Sequence, residues 1–110
     1  MLNKSNKFFN KKTIVDGIKF DSKREATRYS ELVILEKYGI ISELRIQQVF
    51  VVLKKQKGER EVKYISDFTY YENGVLVVED VKSKSTITPL YVIKRKLMLK
   101  EYGISIREVY

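Results

Sequence analysis

Asp67, Asp80 and Lys82 stand at the far ends of two apolar runs joined by Glu72-Asn73-Gly74. Asn-Gly between alternating hydrophobic residues is the strongest short-range signal for a hairpin with a two-residue type I′ turn. If Asn73 and Gly74 are the loop, Glu72 faces Val75, Tyr71 faces Leu76, Thr69 faces Val78 and Asp67 faces Asp80. Side chains alternate along a strand, so Lys82 shares a face with Asp80 and Glu79 points the other way. Facing carboxylates repel unless a cation lies between them. Such a pair beside an ammonium group predicts a metal site. Mg²⁺ held by hard carboxylate oxygens, with Mn²⁺ as a substitute, keeps several waters and neutralises phosphate charge, which suits phosphodiester hydrolysis. Asp67 and Asp80 are the expected ligands and the Val81 backbone carbonyl a third. Lys82 is placed to orient or deprotonate the attacking water or to stabilise the phosphorane.

The rest of the composition narrows the chemistry to these groups. The 110 residues contain no His and no Cys. That excludes histidine metal clusters, Ser-His triads, thiolate zinc sites and cysteine nucleophiles. Lys and Arg number 22 against 14 Asp and Glu, a net charge of +8, and this balance favours a polyanionic partner, above all nucleic acid. A hydrophobic content of 44% with 12% aromatics fits a folded domain. No apolar run approaches a membrane span, Met1-Leu2-Asn3-Lys4 lacks the apolar core of a signal peptide, and a cytoplasmic location is expected.

The elements that must position these residues follow from local signals. Residues 1–12 read as a basic, flexible arm and residues 13–110 as a single domain. Thr13 to Phe20 reads as a small hairpin around Asp16-Gly17. Ser22 to Tyr38 reads as a helix. Ser22 and Glu25 form a potential capping box, Gly39 is the stop, and Ala26, Tyr29, Leu32 and Val33 make a buried stripe. Glu25 serves as a cap in that reading, yet it lies above the stripe and can approach the metal site from the helix side. A strand is expected within Ile40 to Leu53, a charged loop over Lys54 to Glu61, and strands over Lys63 to Tyr71 and Val75 to Lys82. Ser83 to Thr86 reads as a polar, mobile link. Thr88-Pro89 opens a second helix that ends at Gly103, and Ile104 to Val109 is the last strand. The order is helix, three strands, helix, strand: a mixed α/β sheet flanked by helices, its last two strands parallel. Lys11, Lys12, Lys84, Lys94 and Lys96 are the expected phosphate contacts. Gln47 is either a strand-edge amide or a donor lining the site.

Three segments carry a resemblance. Ser22-Lys23-Arg24-Glu25-Ala26, Tyr64-Ile65-Ser66-Asp67-Phe68 and Val78-Glu79-Asp80-Val81-Lys82-Ser83 resemble, in order, the motifs of the PD-(D/E)XK nuclease superfamily. More closely they are similar to small phage-encoded, Holliday-junction-resolvase-like endonucleases. The resemblance implies a restriction-endonuclease-like core, with Glu25 as helix carboxylate and further candidate ligand, Asp67 as first strand ligand, and Asp80 with Lys82 as the paired motif. It implies Mg²⁺-dependent DNA cleavage, including of branched DNA, in phage replication, recombination or packaging, by a homodimer in the host cytoplasm with no small-molecule cofactor. The alternative is a non-catalytic DNA-binding module that retains the fold. Ser66 stands where the motif often has Pro. The Glu79-Asp80 doublet leaves a second frame, in which a three-residue loop brings Glu79 towards Asp67.

Overall fold

The computed structural model describes residues 12–110 and begins with the Asp16-Gly17 hairpin. β1 (Thr13–Val15) and β2 (Ile18–Phe20) pair antiparallel with Val15 opposite Ile18, and Asp16 and Gly17 both take the positive φ of a type I′ turn. α1 (Lys23–Lys37) starts where the Ser22 hydroxyl accepts the Glu25 N–H at 3.1 Å. It stops at Gly39, φ 76°, whose N–H bonds the Glu36 carbonyl while that of Ile40 bonds Leu35. These are the two bonds of a Schellman stop. Only half of the expected capping box forms. The Glu25 carboxylate takes the Ser22 hydroxyl at 3.4 Å rather than the Ser22 N–H, and this leaves it free to reach the sheet.

Two runs expected as single strands are each broken in the middle. Ile40 to Leu53 holds β3 (Ser42–Ile46) and β4 (Val49–Leu53); Lys63 to Tyr71 falls across β5 (Val62–Ile65) and β6 (Phe68–Glu72). The pairs Arg45–Thr69, Ile46–Phe68, Val49–Ile65 and Phe50–Tyr64 show one antiparallel register running through both breaks. The four strands are thus two halves of one ribbon bent at Gln47-Gln48 and Ser66-Asp67, with the charged Lys54 to Glu61 segment as its tip. Backbone bonds hold the bend: Gln47 N–H to the Asp67 carbonyl (3.1 Å) and Ser66 N–H to the Gln48 carbonyl (3.0 Å). Polar residues of poor strand propensity interrupt apolar ones at this point, and Gln47 turns to φ 50°.

β7 (Val75–Val81) pairs with β6 in the register of the two-residue turn: Glu72–Val75, Tyr71–Leu76, Thr69–Val78, Phe68–Glu79. Ser83 to Thr86 is no irregular link. Lys84–Thr86 forms a 3-10 turn in which the Thr86 hydroxyl accepts the Ser83 N–H at 2.8 Å. α2 (Pro89–Tyr102) is capped by the Thr88 hydroxyl on the Tyr91 N–H (3.1 Å) and ends at Gly103, φ 68°. β8 (Arg107–Val109) runs parallel to β7. The four-stranded sheet is ordered β3-β6-β7-β8. In chain order, its members and helices run α1, β3, β6, β7, α2, β8, so the fold is mixed α/β.

Each face of this sheet carries its own core. On one, α1 and the β1–β2 hairpin enclose Phe20, Ala26, Leu32, Ile41, Phe68 and Tyr70. On the other, α2 and the peeled-off β4–β5 half of the ribbon enclose Val52, Tyr64, Val78, Tyr91, Met98 and Ile106. Each large apolar side chain buried this way stabilises the fold by roughly 1.5–3 kcal/mol. Tyr102 fastens the second layer, its ring edge-on to Phe50 at 5.4 Å and its hydroxyl donating to the Val51 carbonyl at 2.8 Å.

Candidate functional site

The doublet Glu79-Asp80 is resolved by the pleat of β7. Glu79 is fully buried on the α1 face, where Arg28 holds it through two bonds, Nε at 2.9 Å and Nη2 at 2.6 Å, and the Tyr70 hydroxyl donates a third. It is a structural anchor for α1, and the frame that sends it towards Asp67 is not the one adopted. Asp80 points to the α2 face. The Tyr64 hydroxyl donates to its Oδ2 at 2.7 Å, and Lys82 Nζ lies 3.5 Å from Oδ1. Lys82 is held from its other side by the Tyr91 ring, 3.8 Å from Nζ to the centroid, a favourable cation–π geometry. The Tyr91 hydroxyl is fixed in turn on Glu108 at 2.7 Å, which also binds Arg95 at 2.8 Å.

Asp67 sits at the bend, and the bend explains what its side chain does. Continuing the β6–β7 register would put Ser66 opposite Val81, but the Ser66 N–H has gone to Gln48. The Asp67 carboxylate replaces the lost partner: Oδ2 accepts the Val81 N–H at 2.7 Å. Its own N–H bonds the Glu79 carbonyl at 3.1 Å, one residue off the ladder. The N–H and C=O of one residue in a strand point to the same edge, so the Val81 carbonyl faces this gap as well.

Electrostatics marks the same spot. Burial, then the directly contacting Asp80 carboxyl, pushes the Asp67 carboxyl up to about 8, against the pull of the Val81 N–H; Glu25 adds to the rise. Glu25, half-buried at the start of α1, is raised by burial and by Asp21, while Ser22 and Asp67 hydrogen bonds oppose the shift. Burial and the Asp80 charge push the Tyr64 phenol far above its ordinary range, so it stays a donor.

Two depressions open on either side. One, about 450 Å³, is lined by Ser22, Arg24, Glu25, Val81, Lys82 and Thr86 among others. The other, about 350 Å³, is lined by Lys63, Tyr64, Asp67, Asp80, Lys82 and Lys94 among others. Glu25, Asp67, Asp80 and Lys82 are therefore brought together. Of the lysines expected to touch phosphate, Lys94 lines the second depression. Lys84 is exposed on the 3-10 turn next to the first. Lys96 is exposed two residues beyond Lys94 and so points to the other side of α2. Lys12 pairs with Asp21 at 2.8 Å, and Lys11 lies outside the described residues. Gln47 is exposed and lines neither depression; it reaches the site only through its backbone bond to Asp67.

Residues 5–108 match the family described as "Protein of unknown function (DUF1064)". The chain belongs to the DUF1064 family. No curated protein and no solved structure matches it.

The donor set of this DUF1064 chain suits a hard divalent cation in kind, since it offers carboxylate oxygens and a backbone carbonyl. It is not a ready-made cage. Among the described residues no three acidic side chains gather closely enough to hold a metal ion by themselves. Asp67 interacts with both Glu25 and Asp80. The sequence reading missed Tyr64 and Tyr91, which lock Asp80 and Lys82. It also missed Arg24, which lines the first depression. Tyr64 begins the Tyr64-Ile65-Ser66-Asp67 run and Tyr91 follows the helix cap Thr88 at the third position; both placements were readable, but their partners lie on other elements.

Proposed function

We propose that this chain is a metal-dependent endonuclease that hydrolyses DNA phosphodiester bonds on a PD-(D/E)XK-type core. The observation that carries the reading is the convergence of Asp67 and Asp80, with burial and the Asp80 carboxyl holding Asp67 above the ordinary carboxylate range and Lys82 Nζ 3.5 Å from Asp80 Oδ1 beside an open depression. A structural role accounts for Glu79, which is fully paired; it does not account for two neighbouring carboxyls, one of which, Asp67, is held out of its ordinary range by burial and by the other. Asp67, Asp80 and the Val81 carbonyl would hold the ion, with Glu25 beside them. Bound there, Mg²⁺ supplies charge neutralisation at the phosphate and a more acidic water.

The chain's own residues do the rest. Tyr64 fixes one Asp80 oxygen, and the other lies 3.5 Å from the Lys82 ammonium. The Tyr91 ring and Asp80 hold the Lys82 ammonium where it can stabilise the negative charge that builds on the phosphoryl oxygens. Water adds to phosphorus as its proton passes to bulk water, and the P–O bond to the departing nucleotide breaks, its oxygen taking a proton from bulk water. The resemblance extends the proposal to phage replication, recombination or packaging and to a homodimer.

The test is incubation of the full chain with linear and four-way-junction DNA in Mg²⁺ or Mn²⁺, with a chelated control. Cutting should need the metal, and Asp80→Ala or Lys82→Ala should slow it about 100-fold or more. Salt-sensitive binding with no cutting of either substrate would favour a DNA-binding module instead.

A further inference from the structure

Asp80 and Lys82 lie at the floor of the site: Asp80 is 6% exposed and the Lys82 side chain 12%. Lys82 lines both flanking depressions, which adjoin it from two sides as the two arms of one site. Each arm is within the roughly 300–1,000 Å³ range of small-ligand pockets. Each is therefore of a size to take one nucleotide.

The walls narrow the ligand further. Cations stand in both arms, Arg24 in one and Lys63 and Lys94 in the other. Among them are exposed apolar side chains: Tyr110, 64% exposed, in the first arm, and Ile65 and Leu90, 56% and 60% exposed, in the second. Cations alone suit any polyanion. Apolar surface set between cations suits a polyanion that also offers flat apolar faces. A duplex turns phosphates outward and keeps its base faces stacked inside, whereas an unpaired strand offers both.

We infer that this two-armed trough binds one unpaired DNA strand, with a nucleotide in each arm. One base rests on Tyr110, the other on Ile65 and Leu90, and the phosphate between them lies over Lys82. This deepens the nuclease reading and rests on it for the role of that central phosphate, but the strand preference can be measured without cleavage. In chelator, fluorescence anisotropy of the full chain with a labelled oligo-dT and with a duplex of equal length gives the two affinities. The single strand should bind at least about 10-fold tighter. Tyr110→Ala and Leu90→Ser, both at exposed positions, should each weaken it about 5-fold or more while leaving the duplex affinity within about 2-fold. Equal or tighter duplex binding, or equal losses on both ligands, would overturn the inference. Strand preference without metal-dependent cutting would sink the nuclease reading alone; cutting of a duplex bound as tightly as the strand, with Tyr110→Ala neutral, would sink the strand inference alone.

Discussion

Asp67 is held in the folded chain at a cost that can be read out in the absence of metal, and on the nuclease proposal that cost serves function. Its carboxyl is pushed up to about 8 in the folded chain, against an ordinary value near 3.9 in an unfolded one. Between those values the folded state keeps a proton that the unfolded state releases, so this group's contribution to stability falls as pH rises from about 4 to about 8. Asp67→Asn removes that slope, because an amide can still accept the Val81 N–H and can donate to Asp80. Thermal melts in chelator should show the variant melting about 4 °C or more above wild type at pH 8, with the gap closing towards pH 4. The same substitution should abolish cutting. Tyr64→Phe is the opposite case. It strips the buried Asp80 oxygen of its 2.7 Å donor and should destabilise the fold by about 1–3 kcal/mol in urea titrations. The side chosen by Asp80 over Glu79 was legible at this scale because one short turn fixes the register of β7, whereas the expected facing of Asp67 and Asp80 is replaced by a bend that takes Asp67 one residue off the ladder. The roles of Tyr64 and Tyr91 were not legible, since their partners Asp80, Lys82 and Glu108 lie on or just after other strands.

Among the elements, the bent ribbon decides where the site can exist. The caps at Ser22 and Thr88, the stops at Gly39 and Gly103 and the two Gly-containing hairpin turns are local chemistry, and local chemistry is readable along a chain. The bend at Gln47-Gln48 and Ser66-Asp67 is not local. β4 and β5 leave the sheet because α2 presents an apolar face to cover, and their departure strips Val81 of its ladder partner and turns Asp67 inward. Gln47 accepts a left-handed backbone for this, which costs a side-chain residue roughly 1–2 kcal/mol. Gln47→Gly should therefore raise the urea midpoint, and Gln47→Val, β-branched at φ 50°, should lower it. A second device pins α1 to β7. Arg28 lies three residues after Glu25 and is locked onto the fully buried Glu79. Arg28→Met leaves that carboxylate uncompensated and should destabilise the protein by about 3 kcal/mol or more in the same titration.

For the whole molecule, the excess of cations and the acidic floor of the trough are complementary parts of one arrangement. On the nuclease proposal, a net charge of +8 would draw in a polyanion and the carboxyls of Asp67 and Asp80 would take the cation. The basic excess was plain from composition, but its concentration was not, because Arg24 precedes Lys63 and Lys94 by a long stretch of chain and joins them only through the sheet. If Arg24, Lys63, Lys82 and Lys94 each neutralise one phosphate of a bound single strand, log K against log salt should fall with a slope of about −3, roughly −0.7 per contact. Lys63→Ala should flatten that slope by about 0.7, whereas Lys96→Ala, on the side of α2 turned away from the trough, should leave it unchanged. Anisotropy titrations in chelator from 50 to 300 mM salt, on the order of the range where such slopes are linear, measure both. A slope near that of wild type for Lys63→Ala would mean that the strand runs past α1 without crossing the second arm. Equal flattening by Lys96→Ala would mean that the whole basic surface, not the trough, holds the nucleic acid.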